Sequence, residues 1–263
     1  MSAIIYFIFV LLGLSVGSFL NLCSDRLPRG GSIIRPGSHC DNCGKGLRAF
    51  DLVPVISYLW LRGRCRYCGA GIPLRVLLVE VATGAVYGLM AWHYGLTVEL
   101  AFGLIYASIF IVIFVIDLEH RHILDVVTFP AMAIALVFSF FWGGFEEFWP
   151  NIGPGITLSA LFGGVLGFAL MLLPYVITRG AGMGYGDVKL AALIGLVCGF
   201  PLVVVALMVG IIAGGLVAVF LLLSRLVESR KAAIPYGPFL VVGAMVALVW
   251  GDNIFQWWWA LGG

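Results

Sequence analysis

Two kinds of side chain in this sequence are suited to chemistry: aspartates at the ends of apolar runs, and cysteines in close pairs. Asp117 follows an apolar run, and Asp187 ends the glycine-rich stretch 182–187. Two carboxylates brought together share one proton, because adjacent like charges cannot both ionise cheaply. The ionised acid can take a proton from water while the protonated acid polarises a peptide carbonyl. The pair therefore predicts hydrolysis of a peptide bond.

The residues around the two aspartates favour this interpretation and also offer a rival. Gly184 and Gly186 would allow an extended substrate to approach the backbone closely. A helix beginning at Val188 would favour the ionised form of Asp187. Each aspartate taken alone is compatible with a helix cap or an interface residue, and for Asp117 alone that would be the better interpretation. Asp125 is a rival first acid, although N-capping of the helix that follows also explains its position.

Glu80 and Lys189 are candidates for supporting roles near the acids. Glu80 lies about one turn into an apolar run, where an ionisable group is costly and is a functional candidate. It can pair with Arg75 or Lys189, or face the site. Lys189 lies two residues after Asp187 and can extend its ammonium group towards lipid headgroups.

Four of the six cysteines form two CxxC pairs separated by 21 residues, each followed directly by a glycine. Two such knuckles supply the four thiolates of a tetrahedral zinc site. Two disulfides are the alternative, but disulfides are rare in a reducing compartment. Four protein ligands leave no open position for substrate, so we expect a structural site rather than a catalytic one. Its ligands are Cys40, Cys43, Cys65 and Cys68.

The elements that must position these groups are membrane-spanning helices. Hydrophobic residues make up 62% of the 263 residues and charged residues only 11%, which excludes an ordinary water-soluble protein. We predict an all-α polytopic membrane protein of about eight transmembrane helices, with a small zinc-binding domain after the first. The predicted spans are residues 4–22, 76–93, 100–116, 126–142, 156–178, 188–200, 202–223 and 239–258.

The basic residues predict the orientation of these spans. All 15 lysines and arginines fall on one side, which the positive-inside rule makes cytoplasmic. The N-terminus and the acidic loop 143–154 are then external. The predicted domains are the first helix (1–22), a cytoplasmic tetracysteine domain (23–75) and a seven-helix membrane domain (76–263). Asp117, Asp125 and Asp187 all reach the cytoplasmic face. The net charge of only +2 gives no reason to expect a nucleic-acid partner.

Taken together, these residues resemble the type IV prepilin peptidases, also called leader peptidase/N-methyltransferases, which are GxGD-type intramembrane aspartic peptidases. Two departures are visible: Leu124 stands where the family usually has proline, and Val76-Leu77 where it usually has tyrosine-proline. Neither removes a catalytic group. The similar motifs are Gly17–Asn21 with Arg26–Pro28, the two cysteine knuckles with Val53-Pro54 and Ser57-Tyr58, Ile116-Asp117 with Ile123–Asp125, Gly184–Asp187 with Lys189-Leu190, and Ile234–Phe239.

The resemblance implies more than the residues themselves do. Members of the family cleave the basic leader from prepilins or pseudopilins, typically after a glycine, at the cytoplasmic membrane face. Many then methylate the new N-terminus with S-adenosylmethionine. The resemblance thus implies Asp117 and Asp187 as the catalytic pair, a bacterial inner-membrane location, and pilus or type II secretion machinery as partners. No residue is assigned to the methyltransferase reaction.

Two other classes of function compete with a peptidase. A proton-coupled transporter would use Asp117, Asp187 and Glu80 as relay acids, but it predicts acids near the middle of the membrane. A non-enzymatic scaffold would use the zinc domain to dock an assembly machine. Cleavage of a prepilin by the purified protein discriminates among the three.

Overall fold

A computed structural model describes residues 3–140, 155–180, 183–224 and 235–262 of the chain. The predicted external loop 143–154, the basic residues Arg225, Arg230 and Lys231, and the outer residues Gly182 and Ile234 of two motifs lie outside these ranges. The α-helices of the described residues are α1 (Ala3–Arg26), α2 (Ile56–Trp60), α3 (Leu74–Tyr94), α4 (Val98–His120), α5 (Asp125–Ser139), α6 (Gly155–Ile177), α7 (Tyr185–Cys198), α8 (Leu202–Leu223) and α9 (Gly237–Gly262).

Eight of these helices coincide with the predicted spans, which confirms the all-α membrane fold. Among the described residues, six helices are long and apolar enough to cross a membrane: α1, α3, α4, α6, α8 and α9. Helix α5 is apolar but shorter, and α7 has only 14 residues. Large apolar side chains are exposed rather than hidden, as Phe7 and Leu11 are in α1. Such surfaces require lipid around them, so the chain is a multi-pass membrane protein.

The chain divides into two compact units, Met1–Val112 and Ile113–Gly263. The first unit contains α1, α3 and the cysteine segment, which we define as residues 27–73. Helices α1 and α3 approach closely at two glycines spaced four residues apart. A Cβ at Gly13 would lie 2.7 Å from the Thr83 carbonyl oxygen, and one at Gly17 would lie 2.8 Å from Cα of Glu80. Small residues at this spacing allow the two backbones to touch.

Helix α7 is central in the second unit, where it packs against α5, α6, α8 and α9. Seven of its 14 residues are buried, including Val188, Leu190 and Ile194. Helices α6 and α7 meet at glycines, since a Cβ at Gly163 would lie 2.5 Å from the Gly195 carbonyl oxygen. A short helix enclosed by longer ones is rigidly held, and α7 carries Asp187 in its first turn.

Candidate active site and metal centre

Asp187 is fixed at the N-terminus of α7 by a local hydrogen bond. The backbone N–H of Gly184, which precedes the helix, donates to Oδ2 of Asp187 at 3.2 Å. A carboxylate in the third position of a helix commonly reaches back in this way, because the first N–H groups lack helical partners. Asp187 is only 7% exposed. Its carboxyl group is therefore held at the point where the chain enters the core of the second unit.

Asp117 lies in the last turn of α4 and comes close to Asp187. It is 5% exposed and lies within range of charge–charge interaction with Asp187. The atom Oδ2 of Asp117 is buried without a hydrogen-bond partner among the described residues. A buried carboxylate oxygen without a partner is costly in an inert location and suggests a place where water or substrate binds. The structure thus brings the two predicted acids together, while their catalytic role stays a prediction.

The start of α9 forms a third side of this site. A Cβ at Gly237 would lie 2.5 Å from Oδ2 of Asp117, so only glycine leaves that oxygen in place. The preceding Tyr236 has its ring against α8, where a Cβ at Gly214 would lie 3.0 Å from the ring edge. Burial, and then the negative charge of Asp187, raise the pKa of Tyr236 to about 12. Sequence analysis noted Ile234–Phe239 only as a family resemblance, because neither a glycine nor a tyrosine near a span indicates contact with a distant acid.

Gly186 and Lys189 also lie at this end of α7. A Cβ at Gly186 would lie 3.1 Å from Cβ of Ile123, so this glycine allows close packing beside the acids. The ammonium group of Lys189 forms an ion pair with Asp125 and lies 5.6 Å from the centre of the Tyr185 ring. The side chain of Asp125 is 57% exposed. The capping role expected of Asp125 is not seen, because Leu124 occupies the N-cap of α5 and makes no side-chain cap bond.

Glu80 is buried inside the first unit. It is 4% exposed and accepts a hydrogen bond from the backbone N–H of Val55 at 2.7 Å and another from Ser18. Of the two cations expected near it, Arg75 forms an ion pair with Asp25 at 2.7 Å and Lys189 forms one with Asp125. Glu80 therefore joins the cysteine segment to the α1–α3 pair.

The four cysteines of the two knuckles converge as predicted. Their sulfur atoms all lie within 4.8 Å of one another, and those of Cys40 and Cys68 are 3.8 Å apart. A tetrahedral site with Zn–S bonds of about 2.3 Å places its sulfurs about 3.8 Å apart, so this donor set fits zinc. The cluster can hold a metal ion without any change in the fold.

The two knuckles are built alike, which explains why the sulfurs point to a common centre. In each, a backbone N–H bonds back across the turn, from Gly44 to Cys40 at 2.8 Å and from Gly69 to Cys65 at 2.9 Å. Both glycines have positive φ angles, 67° and 72°, which glycine adopts without strain. The backbone N–H of Ala70, followed by Asn42, lowers the pKa of the Cys68 thiol to about 6, whereas the pKa of the Cys43 thiol rises to about 11 despite the backbone hydrogen bond of Lys45, because of burial and the neighbouring Cys68 and Cys40 thiols. A readily ionised thiol favours metal binding.

Two protein-family models match this chain. A family model described as "Bacterial Peptidase A24 N-terminal domain" matches residues 11–94. A second, described as "Type IV leader peptidase family", matches residues 104–219, which include both buried aspartates.

Relatives similar along almost the whole chain carry one name, "Prepilin leader peptidase/N-methyltransferase". The protein of that name from Pseudomonas aeruginosa is 32% identical, with 93% of this chain and 90% of the relative covered. A relative from Pseudomonas putida is 33% identical with the same coverage, and one from Neisseria gonorrhoeae is 31% identical over 94% of this chain and 92% of its own. No solved structure matches the chain.

Proposed function

The chain belongs to the type IV leader peptidase family, and we propose that it removes the leader peptide of prepilins or pseudopilins with Asp117 and Asp187 as its paired acids. The observation that carries the assignment of residues is the convergence of two buried carboxyl groups from α4 and α7. The two groups lie close enough for their charges to interact. Substrate cleavage itself rests on the family and on relatives named for it.

The pair supplies both proton transfers that peptide hydrolysis needs. One acid, ionised, takes a proton from water, and the resulting hydroxide attacks the scissile carbonyl carbon. The other acid, protonated, donates its proton to the carbonyl oxygen. When the C–N bond breaks, the acid that took the water proton gives it to the leaving nitrogen. A hydroxyl group of the tetrahedral intermediate gives its proton to the other acid, which restores the shared-proton state. Oδ2 of Asp117, which is buried without a hydrogen-bond partner among the described residues, would bind the attacking water or, when protonated, the carbonyl oxygen.

Burial distinguishes Asp117 from its rival Asp125. The Asp125 side chain is largely exposed and already paired with Lys189, whereas Asp117 is buried and close enough to Asp187 for their charges to interact. The location of the acids also argues against a transporter. Asp117 is three residues from the end of α4 and Asp187 is in the first turn of α7, so neither lies in the middle of a helix. Substrate that meets the membrane at its surface would reach both.

Incubation of the purified protein with a prepilin in detergent tests this function. We expect the basic leader to be released by cleavage after a glycine, with both fragments identified by mass spectrometry. Intact prepilin after long incubation with well-folded protein would contradict the proposal. A mass increase of one methyl group on the mature N-terminus, dependent on added S-adenosylmethionine, would report the second reaction.

The methyltransferase activity is proposed on the names of the relatives alone. S-adenosylmethionine supplies the methyl group in this proposal, and the new N-terminal amine accepts it. We assign no residues to its binding. The metal at the four cysteines is proposed to be zinc, in a structural role, because the site has four thiolates and no open position.

The membrane is proposed to be the bacterial inner membrane, with the N-terminus outside and the cysteine segment in the cytoplasm. Loop charge supports this orientation, since basic residues resist translocation. Pilus or type II secretion machinery would receive the processed subunits. A basic leader emerging on the cytoplasmic side would then meet the acids at the membrane surface.

Reporter fusions test the orientation. A reporter that is active only outside the membrane is expected to be active when fused at Trp149 and inactive at Gly46, because all basic residues lie on the side of Gly46. A reporter active only in the cytoplasm should give the opposite pattern. External activity at Gly46 would invert the topology and place the acids away from a cytoplasmic leader.

Substitution Gly237→Ala tests whether the start of α9 keeps the site open. The added methyl would meet Oδ2 of Asp117 at 2.5 Å and must displace that carboxyl group. We expect cleavage to slow by about 10- to 100-fold, the effect of misplacing a catalytic group by about 1 Å. Initial rates on a prepilin measure it. Gly251→Ala is the matched control in the same helix, since its methyl meets only the flexible end of Leu202 at 2.9 Å. Equal rates in the two variants would contradict the prediction.

A further inference from the structure

The short helix α2 carries an exposed apolar surface that has no role in the proposed peptidase reaction. Helix α2 presents Ile56, Leu59 and Trp60 outward, with exposed fractions of 65%, 62% and 81%. Residues spaced i, i+3 and i+4 lie on one face of a helix. The cysteine segment, to which α2 belongs, also contains seven of the chain's basic residues, so a wholly apolar face there is unexpected.

The level of α2 along the membrane helices is set by the hydrogen bond from the Val55 N–H to Glu80. Val55 immediately precedes α2, and Glu80 is the seventh residue of α3. Arg75 and Asp25 form an ion pair where α3 begins and α1 ends, and such charges belong at the headgroup level. Glu80 lies five residues further along α3, which at a rise of 1.5 Å per residue is about 7 to 8 Å deeper.

The conformation of Val55 shows that this position is held in place. Its φ angle is +61°, in the left-handed region that β-branched residues rarely adopt. In this conformation the Val55 N–H donates a hydrogen bond to the Glu80 carboxyl group at 2.7 Å. The side chain of Ser18 in α1 forms a hydrogen bond with the same carboxyl group. The start of α2 is thereby anchored to both membrane helices of the first unit.

We propose that α2 lies in the membrane interface, with Ile56, Leu59 and Trp60 inserted among lipid headgroups and the adjoining acyl chains. The depth of the Glu80 anchor matches that of interfacial helices, which bury their apolar face by about 5 to 10 Å. Tryptophan is the residue typical of this boundary. The two helices to which Glu80 anchors α2 also expose large apolar side chains, Phe19 on α1 and Leu78 on α3. Lipid is therefore the occupant that this face fits.

The basic residues beside α2 indicate which lipids it meets. Arg62 and Arg64 follow the helix directly and are exposed. Arginines next to an interfacial helix attract anionic headgroups. A basic leader peptide would be repelled by the same charges, so it is a poorer occupant of this face. The α2 surface would tie the metal-binding knuckles to the membrane surface.

Spin-label depth measurements on the full-length protein in phosphatidylglycerol-containing nanodiscs test this placement. The label is attached to p-acetylphenylalanine at position 59 or 60, which leaves the cysteines untouched; both side chains are exposed, so the fold should tolerate it. We expect the label to relax readily with molecular oxygen and to be protected from a water-soluble nickel chelate. Asp41, which is exposed on the first knuckle, is the control and should show the reverse pattern.

Two outcomes would overturn the proposal. Nickel accessibility at position 60 equal to that at position 41 would place α2 in water. Protection from both nickel and oxygen would mean that another protein surface, not lipid, covers the helix. Metal content equal to that of the unlabelled protein verifies that the knuckles remain folded. The measurement needs no peptidase activity, so its result is independent of the proposed cleavage reaction.

Discussion

Replacement of either buried aspartate by asparagine is expected to reduce prepilin cleavage by about 10³-fold or more, because asparagine can neither accept nor donate the proton that each half of the reaction requires. Asp117→Asn and Asp187→Asn are almost isosteric with the native residues, so insertion and folding should survive. The double variant should be no slower than the single ones, since two groups that act as a unit lose their function together. Single-turnover cleavage of a prepilin measures all three rates.

Asp125→Asn is the matched control for this experiment. It makes the same chemical change on the same end of the second unit, at a side chain that is exposed and paired with Lys189. We expect cleavage within a fewfold of the unaltered protein, since exposed ion pairs contribute little. If Asp125→Asn abolishes cleavage and Asp117→Asn does not, Asp125 takes the catalytic role. A normal rate of prepilin cleavage in Asp187→Asn would contradict the two-acid mechanism.

Runs of hydrophobic residues are enough to locate the helices, but they do not show which helix lies at the centre of the second unit. Residues 188–200 predict a short span, and α7 occupies Tyr185–Cys198. That this helix is enclosed by four others follows from glycine contacts such as Gly163 with Gly195, which depend on how the chain packs. Sequence separation hides such contacts, because glycine carries no side chain whose chemistry signals its partner. Gly237 beside Asp117 is the clearest case, since the two residues are 120 positions apart in the sequence.

Local chemistry predicted the metal site more completely than the acid site. Each knuckle is a closed turn whose hydrogen bonds join residues four or five apart, so the CxxC spacing with its following glycine already determines the shape. The roles of charged residues were harder to predict. The Lys189 and Asp125 pair joins two helices across 64 positions, and the bond from Val55 to Glu80 depends on a strained backbone conformation that the sequence does not show.

Cys65→Ser is expected to remove the bound metal and unfold the knuckles, because Cys65 is the buried ligand of the four. Structural zinc contributes about 10 to 16 kcal/mol in small zinc-finger peptides, so three remaining ligands cannot hold the two turns together. Metal analysis should fall from about one zinc per chain to almost none. Proteolysis should become fast within residues 27–73 and stay slow in the membrane helices.

Cys198→Ser is the matched control, since Cys198 is a free cysteine in α7 that does not belong to the cluster. It should keep its zinc and its resistance to proteolysis. Prepilin cleavage should partly survive in Cys65→Ser, because Asp117 and Asp187 lie in the second unit, whereas the cysteines lie in the first. Unchanged metal content in Cys65→Ser would contradict a four-thiolate site. Disulfides between the knuckle cysteines, found by mass spectrometry in metal-free protein, would show that the pairs are oxidised and would also argue against the cytoplasmic placement.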